Sequence, residues 1–302
     1  MYEKILVPLD GSALAEVALP YAEELAGRLG SEVYLVYANE LPLDPYQHMH
    51  TFYLDKMVEV TRQGAEKYHK KSGTRAIQVK SAILLGNPAE KIVEYGEKEG
   101  ICLIIMATHG QSGITRWALG SVADKVVRAT KCPIVLIRAK GARPDVREKG
   151  ILNMVLVPLD GSKEGEAVLP YIGELVAKLK TEIILFQALS PGYQATSDEG
   201  YEYVTYTKQQ MESDRAFARN YLEKVGARLK RKGVTVKSEV RFGNAAEEII
   251  KFADEISADV VAMSTHGRSG VGRWVFGSVA DRVLHEGDTP LLLVRSSGAN
   301  EK

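Results

Sequence analysis

Short, fully apolar runs alternate along the chain with longer stretches whose apolar residues recur every three or four positions. KILVPL (4–9) and ICLIIM (101–106) carry almost no polar position, as strands buried on both faces do. The residues over 13–29 follow helical spacing, and Ser12 stands where an N-cap belongs. EVYLVYA (32–38) predicts a second strand, AIQVKSAIL (76–84) a third and PIVLIR (133–138) a fifth, with ICLIIM as the fourth. Helices are expected near 52–71, over 88–99 and over 121–130. The series then repeats, with strands near 154–159, 182–188, 234–241, 259–263 and 290–295. Apolar strands alternating with helices imply an α/β, doubly wound parallel sheet covered on both faces. Ligands of such sheets bind at the carboxyl ends of the strands, where the winding direction reverses.

The two halves are copies of one another. KILVPLDGS (4–12) returns as MVLVPLDGS (154–162), and GNPAEKIVE (86–94) as GNAAEEIIK (243–251). ATHGQSGITRWALGSVAD (107–124) returns as STHGRSGVGRWVFGSVAD (264–281). The offset grows between the early and late blocks, so the second copy has the longer middle. Units of this length are duplicated domains. The polar join AKGARPDVREKG (139–150) reads as a linker. The division expected is a first domain over 1–139, a linker over 140–152, a second domain over 153–296 and a tail over 297–302.

Composition narrows the function classes. The formal net charge is zero, which gives nucleic acid or an acidic membrane surface no electrostatic footing. No run approaches the roughly 18 apolar residues of a membrane helix, and the start lacks the basic-then-apolar pattern of a secretion signal. Cys102 and Cys132 lie in or beside strand-like runs and read as buried, reduced thiols. These features together predict a cytoplasmic protein.

The glycine-rich phrase carries the chemistry. It begins where a strand ends and finishes where a helix begins. Free amides and the positive end of the dipole make that helix start attractive to an anion, by about 1 kcal/mol from the dipole alone. Gly110 and Gly120 would let the main chain approach a phosphate, and Ser121 adds a hydroxyl. Ser121-x-x-Asp124 also resembles a capping box. The identical spacing of Gly267, Gly277 and Ser278 in the second copy favours the phosphate reading. Asp10 and Asp160 follow VPL at the end of the first strand of each unit. Each could accept from a ribose hydroxyl, a base amino group or a metal's water shell, or simply close a turn. Ala38 and Ala188 leave room for a flat ring. His109 and His266 are either catalytic or hydrogen-bonded strand-end residues, and Arg116 and Arg273 either reach phosphates or are solvated. No GxxxxGK[ST] is present and no complete catalytic constellation emerges. The divergent stretches 42–57 and 190–211, the second with five tyrosines, read as surface loops leading into helices or as partner-docking segments.

These residues resemble the ATP-binding branch of the universal stress protein family, whose phrase is glycine, two residues, glycine, nine residues, glycine and Ser or Thr. The resemblance covers nearly the whole chain, once per unit. Ala107 and Ser264 stand in place of the first glycine. They cost little if the backbone there is extended, and roughly 1–2 kcal/mol each if it needs positive φ. The resemblance implies two five-stranded parallel sheets of order 3-2-1-4-5, of the adenine nucleotide alpha hydrolase-like (HUP) type. It implies ATP as ligand, with Mg²⁺ carried by the phosphates. Pro8, Leu9, Asp10 and Ala38 would line the adenosine seat, and Gly110, Gly120, Ser121 and Val122 would hold the phosphates. Pro158, Leu159, Asp160, Ala188, Gly267, Gly277, Ser278 and Val279 are their equivalents. Members pair through their last strands, so PIVLIR and PLLLVR would pair within this chain as an internal dimer, and a further homo-oligomer is compatible with that. The function implied is a nucleotide-dependent sensor or regulator in stress response, without fast turnover. The alternatives are a slow ATPase or phosphotransfer enzyme using the same cleft, and a scaffold or chaperone-like protein that binds no nucleotide.

Overall fold

The computed structural model describes residues 2–40, 45–72, 77–110, 119–138, 150–190, 207–267 and 276–296, with the side chains of 70–72 left aside. The first unit runs β1 (Lys4–Leu9), α1 (Ala13–Glu16), α2 (Leu19–Leu29), β2 (Glu32–Asn39), α3 (Gln47–Ser72), β3 (Val79–Leu85), α4 (Pro88–Glu99), β4 (Leu103–Ala107), α5 (Ser121–Ala129) and β5 (Ile134–Ile137). The second runs β6 (Met154–Pro158), a 3₁₀ turn (Gly165–Val168), α6 (Leu169–Leu179), β7 (Glu182–Leu189), α7 (Lys208–Lys230), β8 (Thr235–Phe242), α8 (Ala245–Glu255), β9 (Val260–Ser264), α9 (Ser278–Glu286) and β10 (Leu291–Val294).

The strands form one ten-stranded sheet ordered β3-β2-β1-β4-β5-β10-β9-β6-β7-β8. Each half has the order 3-2-1-4-5, and all pairings within a half are parallel. Parallel strands need a crossover, and alternate crossovers fall on opposite faces. Successive strand residues therefore serve different cores. Ile5 and Val7 pack with Leu25, Leu54 and Leu222 on one face, whereas Leu6 packs with Ile92, Val126 and Ile249 on the other. In both halves the winding reverses beside the first strand, between β1 and β4 and between β6 and β9.

Local chemistry departs from the sequence expectation at a few points. The helix expected over 13–29 is broken between α1 and α2. Pro20 offers no N–H to the carbonyl of Glu16, and its ring crowds that carbonyl. Pro170 does the same after the 3₁₀ turn of the second unit. Helix α3 begins earlier than expected, and the third strand opens at Val79, where its pairing with Val33 starts. Both cysteines are free but only half-buried, because they sit in the turns just before β4 and β5 rather than within a strand.

The units meet along β5 and β10, which run antiparallel with Leu292 opposite Val135. Polar contacts flank this seam. Tyr2 Oη donates to the Tyr171 carbonyl at 3.0 Å. Buried Glu24 accepts from Arg28 at 2.7 Å and from the Ile151 amide at 2.7 Å. The Arg138 guanidinium reaches the Leu284 and His285 carbonyls at the end of α9, and Arg295 lies 3.5 Å from the Thr130 carbonyl at the end of α5. Among the described residues, no helix is long and apolar enough to cross a membrane.

Candidate functional site

Each unit has a cleft at the carboxyl ends of its strands, at the winding reversal. The first encloses about 1250 Å³ and the second about 840 Å³, including the part open to solvent. The first strand supplies one rim. Pro8, Leu9 and Asp10 line the first cleft, and Pro158, Leu159 and Asp160 the second. Beyond β1 the chain turns sharply, with Gly11 at φ 83° and Gly161 at φ 85°. That conformation suits glycine. Asp10 Oδ1 accepts from the Ser12 amide at 3.0 Å and the Ser12 hydroxyl at 2.6 Å, and Ser12 Oγ in turn caps α1 by accepting from Ala15. Asp160 and Ser162 repeat this at 3.0 and 2.6 Å. One oxygen of each aspartate is thus committed to its turn. The other faces the glycine phrase: a Cβ on Gly110 would overlap Asp10 Oδ2, and one on Gly267 would overlap Asp160 Oδ2. Those glycines make room for the carboxylates.

The opposite rim is a strand end and a helix start. Ala107 and Ser264 close β4 and β9 in register with Ile137 and Val294. Both are extended, so neither position demands glycine. Ser264 Oγ donates to the His266 carbonyl at 2.9 Å. His109 and His266 each hold the neighbouring threonine hydroxyl through Nδ1, at 3.0 and 3.1 Å. The Nε2 of His266 is buried without a hydrogen bond. The Gly120 amide donates to the Thr108 carbonyl at 2.8 Å, and that of Gly277 to Thr265 at 2.9 Å. These two amides are therefore engaged by the protein's own main chain.

Beyond them the amides are not capped. Gly120 and Gly277 are the N-cap residues of α5 and α9, and no side chain caps either helix. The first bond of α5 runs from Asp124 N to the Gly120 carbonyl at 2.9 Å, which leaves the amides of Ser121, Val122 and Ala123 ahead of it. The capping box suggested by Ser121 and Asp124 is not formed, because Ser121 lies inside the helix and Asp124 pairs with Arg128 at 2.9 Å. By contrast, Asn87 caps α4, Thr207 caps α7 and Asn244 caps α8, while the uncapped starts of α2 and α6 run on from α1 and the 3₁₀ turn. Two uncapped helix starts, each lining a cleft, form a cradle for an anion.

The second strand and third crossover complete the clefts. Ala38 with Val36, Ile92 and Met106 lines the first, and Ala188 with Phe186, Ile249 and Met263 the second. Val36, Ile92, Phe186 and Ile249 were not singled out in the sequence. Their signal was available: Val36 and Phe186 lie two residues before Ala38 and Ala188, on the same face of a strand. Beneath each first rim, a tyrosine braces the long helix. Tyr53 Oη donates to Glu16 and Tyr221 Oη to Glu166, both at 3.1 Å, and burial beside those carboxylates pushes both phenols well above the usual tyrosine range. Arg116 and Arg273 lie outside the described residues, as does most of 190–211. Among the described residues, no group of three or more His, Cys, Asp or Glu could hold a metal.

Comparison with known proteins agrees with this architecture. The sequence profile of the "Universal stress protein family" matches residues 1–138 and 153–295. The chain is similar to a universal stress protein of Methanocaldococcus jannaschii, 30% identical over 141 residues that make up 46% of this chain and 83% of the relative. It is also similar to a universal stress protein of Synechocystis sp., 22% identical over 319 residues, covering 97% of this chain and 100% of the other. A crystal structure of a universal stress protein from Archaeoglobus fulgidus superposes with a TM-score of 0.66 at 21% identity, over 98% of this chain and 100% of that one.

Proposed function

The chain belongs to the universal stress protein family, and from that premise we propose that it binds ATP in its clefts and acts as a nucleotide-dependent sensor, with residues 1–139 and 153–296 as its two domains. The observation that carries this reading is the pair of uncapped starts of α5 and α9 facing the clefts at the winding reversals. The triphosphate would accept from the amides of Ser121 and Val122, and of Ser278 and Val279. The nucleoside would lie along Pro8, Leu9 and Ala38, or Pro158, Leu159 and Ala188. A micromolar affinity corresponds to about 8 kcal/mol, within reach of a buried ring and several charge-assisted hydrogen bonds.

Magnesium fits this arrangement as a passenger of the phosphates. Each cleft is lined by one aspartate, one of whose oxygens is already held by a serine, and Glu40 adds a second carboxylate to the first cleft. Mg²⁺ keeps several waters and takes few protein ligands when it travels with phosphates. The antiparallel pairing of β5 with β10 supports the reading of the two domains as an internal dimer.

The test is the purified full chain. Adenine nucleotide released on denaturation, and a rise in melting temperature with ATP, are the expected results. Steady ADP production would make the protein a slow ATPase instead, and neither nucleotide nor a melting shift would leave a scaffold.

A further inference from the structure

The two clefts share their phosphate cradle but differ in their back wall. Val36 is paired with Pro8, and Phe186 occupies the same register position opposite Pro158. The phenyl ring of Phe186 is fully buried yet lines the second cleft. It cannot swing aside. It stacks on Phe252 with centroids 5.2 Å apart, and the Arg241 guanidinium sits 4.2 Å over the Phe252 ring. Arg241 is itself pinned by Glu255 at 2.7 Å. In the first unit the position of Phe252 is held by Tyr95, which meets Tyr34 edge-on at 6.3 Å, and small Val36 remains at the wall. The second cleft has about two thirds of the volume of the first, 840 against 1250 Å³.

We propose that Phe186 sets ligand choice in the second cleft: the cradle at Gly277 and Ser278 still takes phosphate, but the wall narrows the seat for a purine. ATP then fills the first cleft well before the second, and the second prefers nucleotides with a single-ring head. This rests on the nucleotide reading above. A rigid ring in an apolar pocket discriminates by shape, and one misfitting group is worth roughly ten- to two-hundredfold in affinity.

Calorimetric titration of the full chain with ATP and with CTP tests this. ATP should fill one site per chain, with the second at least about tenfold weaker. Phe186→Val should bring the second site to within about threefold of the first. Val36→Phe should weaken ATP in the first cleft at least about tenfold and leave both clefts preferring CTP. Thermal unfolding of both variants checks folding, and Val36→Phe carries the test alone if Phe186→Val fails to fold. Two equal ATP sites in the unaltered chain would overturn the proposal while leaving the nucleotide reading intact, and so would an unchanged ratio in Phe186→Val. Binding of neither nucleotide at either cleft would overturn both.

Discussion

Gly120 and Gly277 hold the same place in the two copies, at almost the same dihedral angles, yet their surroundings differ. A Cβ on Gly120 would lie 2.8 Å from the Thr108 carbonyl oxygen, whereas one on Gly277 would lie 3.5 Å from that of Thr265. The first is a clash with main chain; the second is ordinary contact. Gly120→Ala should therefore cost about 1–3 kcal/mol in urea unfolding, and Gly277→Ala about 0.5 kcal/mol or less. Equal losses would remove the distinction. Asp10 is a second residue whose work is partly local. Asp10→Asn keeps an oxygen for Ser12 and should preserve the turn, while Asp10→Ala should lose about 1 kcal/mol of stability in the same measurement. At this scale the sequence marked positions but not all of the contacts that constrain them. The duplicated Gly110 and Gly267 were legible as a constraint. That the constraint comes from an aspartate across the cleft was not, because nothing local links positions so far apart. Cys132 is a smaller case: burial raises its thiol above the ordinary range, so it should react with iodoacetamide at pH 8 more slowly than a free cysteine peptide.

Helices α5 and α9 are anchored at their far ends by the opposite unit. Arg138 donates to the Leu284 carbonyl at 2.7 Å, at the negative end of α9. Burial lowers its pKa somewhat, but an arginine stays charged in the physiological range. Arg138→Ala should cost about 1–2 kcal/mol, read as a lowered urea midpoint; a loss confined to noise would mean that the contact contributes nothing. The bracing tyrosines give a pH test. Tyr53 is held neutral in the fold, with its pKa raised above the unfolded value. Its contribution to stability is therefore full below about pH 10 and fades as pH rises through the raised value. Tyr53→Phe should show a shallower loss of stability above that pH than the unaltered chain. Helices were legible from periodicity, including their approximate ends. The break before Pro20 was legible in principle. The uncapped starts of α5 and α9 were not, since Ser121 and Asp124 spell a cap that the geometry declines.

The sheet crosses from one unit into the other, and so do both cores. On one face Tyr2 and Tyr21 of the first unit lie with Ile151 and Ile172 of the second, and on the other Leu6 and Val126 lie with Ile249 and Leu293. The two units should then unfold together, with calorimetric and van't Hoff enthalpies equal within error. Two separate transitions would show that the seam is weaker than its packing suggests. Arg128 of α5 lies 5.1 Å over the ring of Phe276, the residue just before Gly277, so the first unit also touches the cradle of the second. The duplicated strands and the α/β class were plain in the sequence because buried parallel strands are apolar throughout. The unequal clefts were not, because Val36 and Phe186 are both good strand residues and only their shared register reveals that they stand at the same wall. The most direct test of the phosphate cradle is amide NMR of the full chain with ATP added. The amide signals of Ser121 and Val122 should move first and farthest, with those of Ser278 and Val279 following at higher concentration. ATP binding that saturates while all four signals stay in place would contradict the account.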